Sequence, residues 1–341
     1  MSYSSDKRVA IAKGDRSKLV ENALNLIDVP SKLKPTTRVF IKPNLVRLPS
    51  TSPYARVKGA YEPTISPVGD VNHRETIESL LKYLTSLGVR DVTIGEASGG
   101  AETPIIYKAL ALYELAEECN ANLVDLNYAE SVRVPVKSMV LDRVWVPKVI
   151  LDSEFTINLA VLKTHGGTAV TLCLKNWGIG IPPGRYYGSN KAGSRWAGAD
   201  GTLPIHNRVP LERVFGQEVA VSKVLVDVCS ARPPTLNIID GYTVVDHERL
   251  GASSYRVRDA NLVVAGYDLV AVDAVGARIM AIDPEKVIHI KYAQQMGLGT
   301  LDSCEIQVVG ASIDEVGIPC NPLERQKETM LSLWHSPLGR E

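Results

Sequence analysis

The chain has 341 residues, 45% of them hydrophobic, which is enough to bury a sizeable core in one large domain or two coupled lobes and argues against overall disorder. Lys plus Arg and Asp plus Glu both number 38, so net charge supplies no general attraction to nucleic acid or to an anionic membrane, and neither is an expected partner. The opening MSYSSDKRVAIAKGDRSKLV holds no signal-peptide hydrophobic segment, and no apolar run approaches the roughly 20 residues of a spanning helix, so a soluble, cytoplasmic chain is expected.

In chain order, Val39, Phe40 and Ile41 of VFIKPNLV read as a buried strand that stops before Lys42, Pro43 and Asn44, because proline has no backbone donor to continue a central ladder. An irregular stretch with Pro49, Pro53, Pro63 and Pro67 follows. NHRETIESLLKYLTSLG then predicts a helix: Asn72 as its cap, Glu75 at the capping-box position, an apolar stripe of Ile77, Leu80, Leu81, Leu84 and Leu87, and Gly88 as its stop. VTIGEASGG predicts a strand over 92–94 with its outlet at 95–100, a helix is expected over 105–118, and ANLVDLN predicts a strand ending at Asp125.

Residues 132–151 are less regular, after which FTINLAVLKTHGG returns to a strongly apolar strand and a polar turn. The interval 176–210 repeats Gly and Pro, carries Tyr186, Tyr187 and Trp196, and shows little periodicity, the pattern of a long binding loop or lid. VAVSKVLVDVCS predicts a helix, LNIIDG a strand and turn, and ANLVVAGYDLVAVDAVGARIMAID a strand followed by a helix starting near Asp268. PEKVIHIKYAQQMG supplies a further helix and CEIQVVG an edge strand. This rhythm predicts an α/β fold: a mostly parallel sheet with helices on both faces and a long irregular loop over the cleft at the strands' carboxyl ends. Two α/β halves are expected, 1–135 and 136–310 including the 176–210 loop, with 311–341 as a tail; the halves are compatible with one compact domain.

Ligands of such sheets occupy the crevice beyond the carboxyl ends of the strands. Polar residues recur at these outlets: Lys42 and Asn44, Glu96 and Ser98, Asp125 and Asn127, Lys163 and His165, Asp240, and Asp268. Lys163 and His165 are two apart, so an extended backbone points both to one side, the lysine suited to a carboxylate or phosphate and the histidine to proton transfer. Lys175 and Asn176 add a charge and an amide; a helix end and a cap explain them equally well. Glu96 reads as an acid or base if desolvated, or as a polar turn residue. Ser98 lacks a GxSxG elbow, and Gly166 and Gly167 fit neither the P-loop nor the GxGxxG spacing.

Asp268 fits a helix cap, and Asp273 lies within that helix, either partly exposed or facing the cleft. A divalent metal assembled from Asp240, His165 and Asp268 or His247 is an alternative that no local ligand spacing establishes. His73, His206, His289 and His335 read as structural or exposed, and Arg185, Lys191 and Arg195 form no continuous basic groove. The cysteines Cys119, Cys173, Cys229, Cys304 and Cys320 are widely spaced and form no close metal or iron-sulfur motif.

Taken together, VFIKPNLV, VTIGEASGG, INLAVLKTHGGTAVTLCLKNWGIGIP, LNIIDG and AGYDLVAVDAVGARIM resemble the family catalogued as domain of unknown function 362, over roughly residues 37–300. The resemblance implies an α/β protein with a site formed by Lys42, Asn44, Glu96, Lys163, His165, Lys175, Asn176 and Asp240. Some members of that family carry a ferredoxin-like iron-sulfur segment; this chain has no CxxCxxCxxxCP run, and an iron-sulfur cluster is not expected.

The expectation that best fits these groups is an enzyme for a small anionic metabolite. Lys42, Lys163 and Lys175, with Asn44, Ser98, Asn176 and Asp240, bind the substrate, and His165, Glu96 and Lys163 serve the chemistry of an isomerisation or elimination. Metal-assisted hydrolysis or redox chemistry and noncatalytic metabolite binding are the alternatives. A homo-oligomer is compatible with the sequence.

Overall fold

The computed structural model describes residues 5–48, 69–99, 101–137, 139–165, 168–187, 216–247 and 255–321. Gly166, Gly167, Lys191, Arg195, Trp196, His206, His335 and the greater part of the 176–210 interval lie outside them.

Strand β1 (Arg8–Lys13) leads into helix α1 (Arg16–Leu26), whose first turn is capped by the Asp15 carboxylate accepting from Ser17 N. Strand β2 (Arg38–Lys42), helix α2 (Arg74–Ser86) and strand β3 (Asp91–Glu96) follow. The expected 105–118 helix is two pieces, α3 (Thr103–Ala109) and α4 (Leu112–Glu118), parted where Ala111 takes a left-handed conformation. Then come β4 (Ala121–Asp125), a hairpin of β5 (Ser131–Pro135) and β6 (Arg143–Pro147), and the single turn α5 (Lys148–Leu151). The long strand β7 (Phe155–His165) pairs with the two-residue β8 (Ala169–Val170) before α6 (Leu172–Gly180) and the short α7 (Gly184–Tyr187). Helix α8 (Gly216–Ala231), strands β9 (Leu236–His247) and β10 (Tyr255–Gly266), helices α9 (Leu269–Ile279) and α10 (Ile288–Gln295), strand β11 (Gln307–Gly310) and the turn α11 (Ile313–Val316) complete the chain order.

The main sheet runs β11-β1-β10-β9-β7-β2-β3-β4. Every neighbouring pair is parallel except those made by β10, which is antiparallel to both β1 and β9. Strands from early and late in the chain interleave: β1 sits between β10 and β11, and β2 beside β7.

Alternate strand residues enter two separate cores, as a period of two requires. Ala10, Ile41, Leu159 and Ile238 pack with α1, α2, α3 and α4 on one face. Ile11, Phe40, Ala160 and Ile239 pack with α6, α8, α9 and α10 on the other. The result is an α/β sandwich of three layers, and all but the last residue of β7 is buried, as a central strand covered on both faces demands.

Three local expectations change. Residues 176–180, expected to open the long irregular interval, are helical as part of α6, six of whose nine residues are buried. Burial against the sheet overrides the weak helix propensity of a glycine-containing segment, and the Asp273 carboxylate of α9 accepts from Cys173 N at 2.7 Å and Leu174 N at 2.9 Å, filling the donors of the first turn. LNIIDG does not turn after Asp240; β9 continues to His247 through an irregularity in which Val161 faces Asp240 but Lys163 faces Val245. Asn72 is not the cap of α2, a place taken by His73 without a side-chain bond.

Asp273 is fully buried, and burial pushes its carboxyl up to about 7 against the backbone bonds that favour the anion. Between its ordinary value of 3.8 and about 7 the folded chain holds a proton that the unfolded chain has released, so this group's contribution to stability declines as pH rises through that window. Asp273→Asn is expected to flatten the dependence of the urea midpoint on pH across that range, while costing about 1–2 kcal/mol for the weakened cap.

Candidate functional site

Because β2, β3, β4, β7 and β9 are parallel, their carboxyl ends share one edge of the sheet and gather Lys42, Glu96, Asp125, Lys163 and His165, and Asp240. Asp268 does not join them. It follows β10, the antiparallel strand, and therefore stands at the opposite edge, where it caps α9 through Val270 N and Ala271 N and pairs with Lys7.

Two ion pairs form the floor. Lys42 and Glu96 are 1% and 2% exposed, with Nζ and Oε1 2.7 Å apart. Lys42 also donates to Pro43 O, and Glu96 accepts from Leu45 N and Ala97 N. Burial still pulls the Lys42 ammonium below the usual lysine value, with Glu96 opposing the shift. In the second pair, Lys163 donates to the Asp70 carboxylate at 2.8 Å and to Asp70 O at 2.6 Å, and His247 Nε2 lies 3.0 Å from the same carboxylate oxygen. His247 is held there by its own backbone N–H, which donates to Thr164 Oγ1 at 2.7 Å.

An amide network ties the strand ends together. Asn176 donates to Asn158 Oδ1, Lys42 O and Leu159 O from α6. Asn72 accepts from Asn44 N and donates to Ala160 O and Asp240 Oδ2. Asp240 accepts further from His73 N at 3.0 Å and Tyr242 N at 3.1 Å, so its carboxylate orders the entry to α2 and the bend of β9. Ser98 donates to Val46 O, and Asn127 bridges Ser98 O to Gly184 N, tying down the start of α7. Asn44 Oδ1 is buried without a hydrogen-bond partner among the described residues.

Above this floor lie His165 and Lys175, both half-buried. Thr168 donates to Val170 O at 2.9 Å, so its oxygen accepts from His165 Nδ1 at 3.1 Å, and the lone pair of that tautomer sits on Nε2. Burial, and then Lys175, Lys163 and His247, hold the imidazole well below the ordinary histidine range, so it is neutral at pH 7. Lys175, in the first turn of α6, has no hydrogen-bond or ion-pair partner among the described residues. Burial, with Lys163 and Arg47 beside it, lowers its ammonium from 10.5 to about 7. The link from β7 to α6 that presents both groups carries two left-handed non-glycine residues, Ala169 (φ 62°) and Leu172 (φ 46°). Each costs about 1–2 kcal/mol of backbone strain.

Gly180, at the end of α6, lets Lys42 pass. A Cβ there would lie 2.4 Å from Lys42 Cε and 2.5 Å from its Nζ. Gly180→Ala is expected to displace the ammonium from Glu96 and lower stability by about 1–3 kcal/mol, read as a fall in the thermal midpoint.

The family model for the domain of unknown function DUF362 matches residues 39–278, from β2 to the end of α9. The chain belongs to the DUF362 family. A thylakoid-associated protein of Synechocystis is 30% identical over 154 residues, which is 44% of this chain and 40% of that protein. The chain thus aligns with less than half of that relative. Among solved structures, the lactate racemase apoprotein of Thermoanaerobacterium thermosaccharolyticum aligns over 78% of this chain and 56% of its own, with 15% identity and a TM-score of 0.45.

Within the DUF362 match the structure adds residues that carry no local signal in the sequence. Asp70 lies 93 positions from Lys163, inside the irregular stretch before α2, and Arg47 lies in the segment that leaves β2. His247, weighed in the sequence only as a metal ligand, instead contacts Asp70. The metal set Asp240, His165 and Asp268 or His247 does not assemble: Asp268 is at the other edge, Asp240 is engaged by backbone donors, and among the described residues no three His, Cys, Asp or Glu side chains converge on one point. No helix among the described residues is long and apolar enough to cross a membrane.

Proposed function

We propose that this DUF362 protein is an enzyme that binds a small anionic metabolite at the carboxyl edge of the sheet and moves a proton beside the anionic group, in an isomerisation or elimination. One observation carries the reading. The cations of the floor are balanced, Lys42 by Glu96 and Lys163 by Asp70, whereas Lys175 and Arg47 have no acidic partner among the described residues and are close enough to act on one another electrostatically. One negative charge is missing, and an anionic ligand supplies it.

His165, with its Nε2 lone pair, is the base, and Lys175, titrating near neutral pH, is the matching acid. The uncompensated charge of Arg47 and of protonated Lys175 sets the positive potential that stabilises a carbanionic or enolate charge as the proton leaves, while Lys163 and Lys42, each paired with a carboxylate, hold the floor in place. Glu96, Asn44, Ser98, Asn176 and Asp240 position these groups through the bonds described above.

Proton abstraction is read directly by solvent exchange. Small carboxylates and phosphate esters incubated in deuterated buffer are expected to gain deuterium at the carbon next to the anionic group, followed by NMR. His165→Ala is expected to slow this exchange about 10²-fold or more with the fold intact. A compound that binds and never exchanges would instead mark the chain as a noncatalytic binding protein.

A further inference from the structure

We propose that His247, oriented by Asp70, is a second proton-transfer imidazole of the site, acting on an oxygen one atom from the carbon that His165 deprotonates and on the same face of the ligand. This rests on the proton abstraction proposed above, and it narrows the substrate to an acid that carries a hydroxyl on the carbon next to its acidic C–H bond.

The register of β7 and β9 brings the two imidazoles together. The strands are parallel, Lys163 is level with Val245, and both strands run two residues further, to His165 and His247. They stay side by side there: Thr164 Oγ1 donates to Asp246 Oδ1 at 3.4 Å and accepts from His247 N at 2.7 Å. Side chains alternate along a strand. Leu162 and Val244 lie in the core that packs α6, α8, α9 and α10, so Lys163 and His165 on β7, and Val245 and His247 on β9, turn to the other face. The shared oxygen of Asp70, 2.8 Å from Lys163 Nζ and 3.0 Å from His247 Nε2, agrees with that facing. Neighbouring strands are about 4.8 Å apart, so two level side chains on one face reach the same small ligand. The His247 side chain is 15% exposed and that of Asp70 3%, which makes the carboxylate the support and the imidazole the reachable group.

The hydrogen bonds give the two rings opposite tautomers. A carboxylate only accepts, so His247 Nε2 carries a proton and the neutral ring keeps its lone pair on Nδ1. Thr168 accepts from His165 Nδ1, which puts that lone pair on Nε2. Each ring is thus held through one nitrogen and presents its lone pair on the other, and Asp70 does for His247 what Thr168 does for His165.

The step balances without an oxidant or reductant. His165 Nε2 takes the proton from carbon, the C–H pair becomes the π pair of a C=C bond, and the C–O bond on the next carbon breaks. Its electron pair leaves on oxygen, which takes the Nδ1 proton of protonated His247 and departs as water. His165 gains one proton as His247 loses one, so the pair keeps its charge, and Asp70 holds Nε2–H in both states. In reverse, neutral His247 draws a proton from water and His165 returns one to carbon. Because both rings stand on one face, hydrogen and hydroxyl leave, or add, in the syn sense.

The full chain is tested with D-malate, L-malate, both enantiomers of 3-hydroxybutyrate and 2-phosphoglycerate in deuterated buffer, with dehydration and deuterium uptake followed by NMR. Expected is dehydration of at least one of these acids, with syn geometry read from the hydrogen couplings of the deuterated acid formed in the reverse direction. His247→Gln should slow dehydration about 10²-fold or more and deuterium uptake by a smaller factor, whereas His165→Ala slows both alike. In a chain with isotope-labelled histidine, neutral His247 should give the ring-nitrogen shifts of the Nε2–H form. Asp70→Asn should raise the share of the Nδ1–H form, a change that a merely structural Asp70 would not produce. Unchanged dehydration in His247→Gln, anti geometry, or an Nδ1–H form of His247 in the parent would each overturn the second imidazole and leave abstraction by His165 standing. Deuterium uptake with no dehydration of any of these acids would overturn the hydroxy-acid class, and neither uptake nor dehydration would overturn the proton-abstraction reading as well. The ring shifts are read on the unaltered chain, so the assignment is decided even where a variant fails to fold.

Discussion

Glu96→Gln is expected to cost about 3–5 kcal/mol, the range for removing one partner of a buried ion pair and leaving the other charge uncompensated. Lys42 and Glu96 are both almost fully excluded from water, and burial already pulls the Lys42 ammonium below its ordinary value. The amide keeps the shape of the carboxylate but not its chemistry. Glu96 accepts from three donors, Lys42 Nζ, Leu45 N and Ala97 N, and an amide has only one acceptor oxygen, so at least one donor faces an NH₂ group. A fall in the urea midpoint with unchanged slope is the expected readout. The double variant Lys42→Met/Glu96→Leu should be less destabilised than Glu96→Gln alone, because it removes both charges together. A Glu96→Gln protein as stable as the parent would show that Lys42 is neutral in the fold and that the pair is a hydrogen bond between uncharged groups.

The sheet and much of its polar edge were legible because β2, β3 and β7 each end in a change from apolar run to polar residue, as β9 changes at Asp240 within its length, and parallel strands put like ends together. Strand direction was not legible. Asp268 follows an apolar run just as Asp240 does within β9, yet β10 runs the other way and carries Asp268 to the far edge. Only the pairing of β10 with β9 and β1 reveals this, and no local pattern encodes it.

The second gap was long-range charge pairing. Lys163 and His165 announce themselves by alternation, but the carboxylate that neutralises Lys163 comes from a proline-rich interval with no periodicity. Lys42, Lys163 and Lys175 therefore read as three equal anion-binding groups, whereas folding pairs two with acids and leaves the third. The helical state of 172–180 was hidden for a related reason: it depends on the cap from Asp273, 99 residues beyond Leu174.

Asp70→Asn turns that charge pairing into a measurement. The substitution keeps an oxygen for Lys163 and leaves the backbone contact to Asp70 O in place, but removes the countercharge from a lysine that is 4% exposed. A loss near the low end of the buried-pair range, about 3 kcal/mol, is expected in buffer without coordinating anions. Asp70 is also the carboxylate that opposes the depression of Lys175, so its neutralisation should push the Lys175 ammonium lower still. The same change makes the edge of the sheet more positive by one unit, beside Lys175 and His247. An anion then substitutes for the missing carboxylate: sulfate or pyruvate at about 100 times its dissociation constant should return about 2.7 kcal/mol, so the stability gap between variant and parent narrows as anion is added. Calorimetry should show tighter anion binding by Asp70→Asn than by the parent, and weaker binding as salt rises. Equal anion affinity in the two proteins would place the ligand away from Lys163 and count against a shared anion site at this edge.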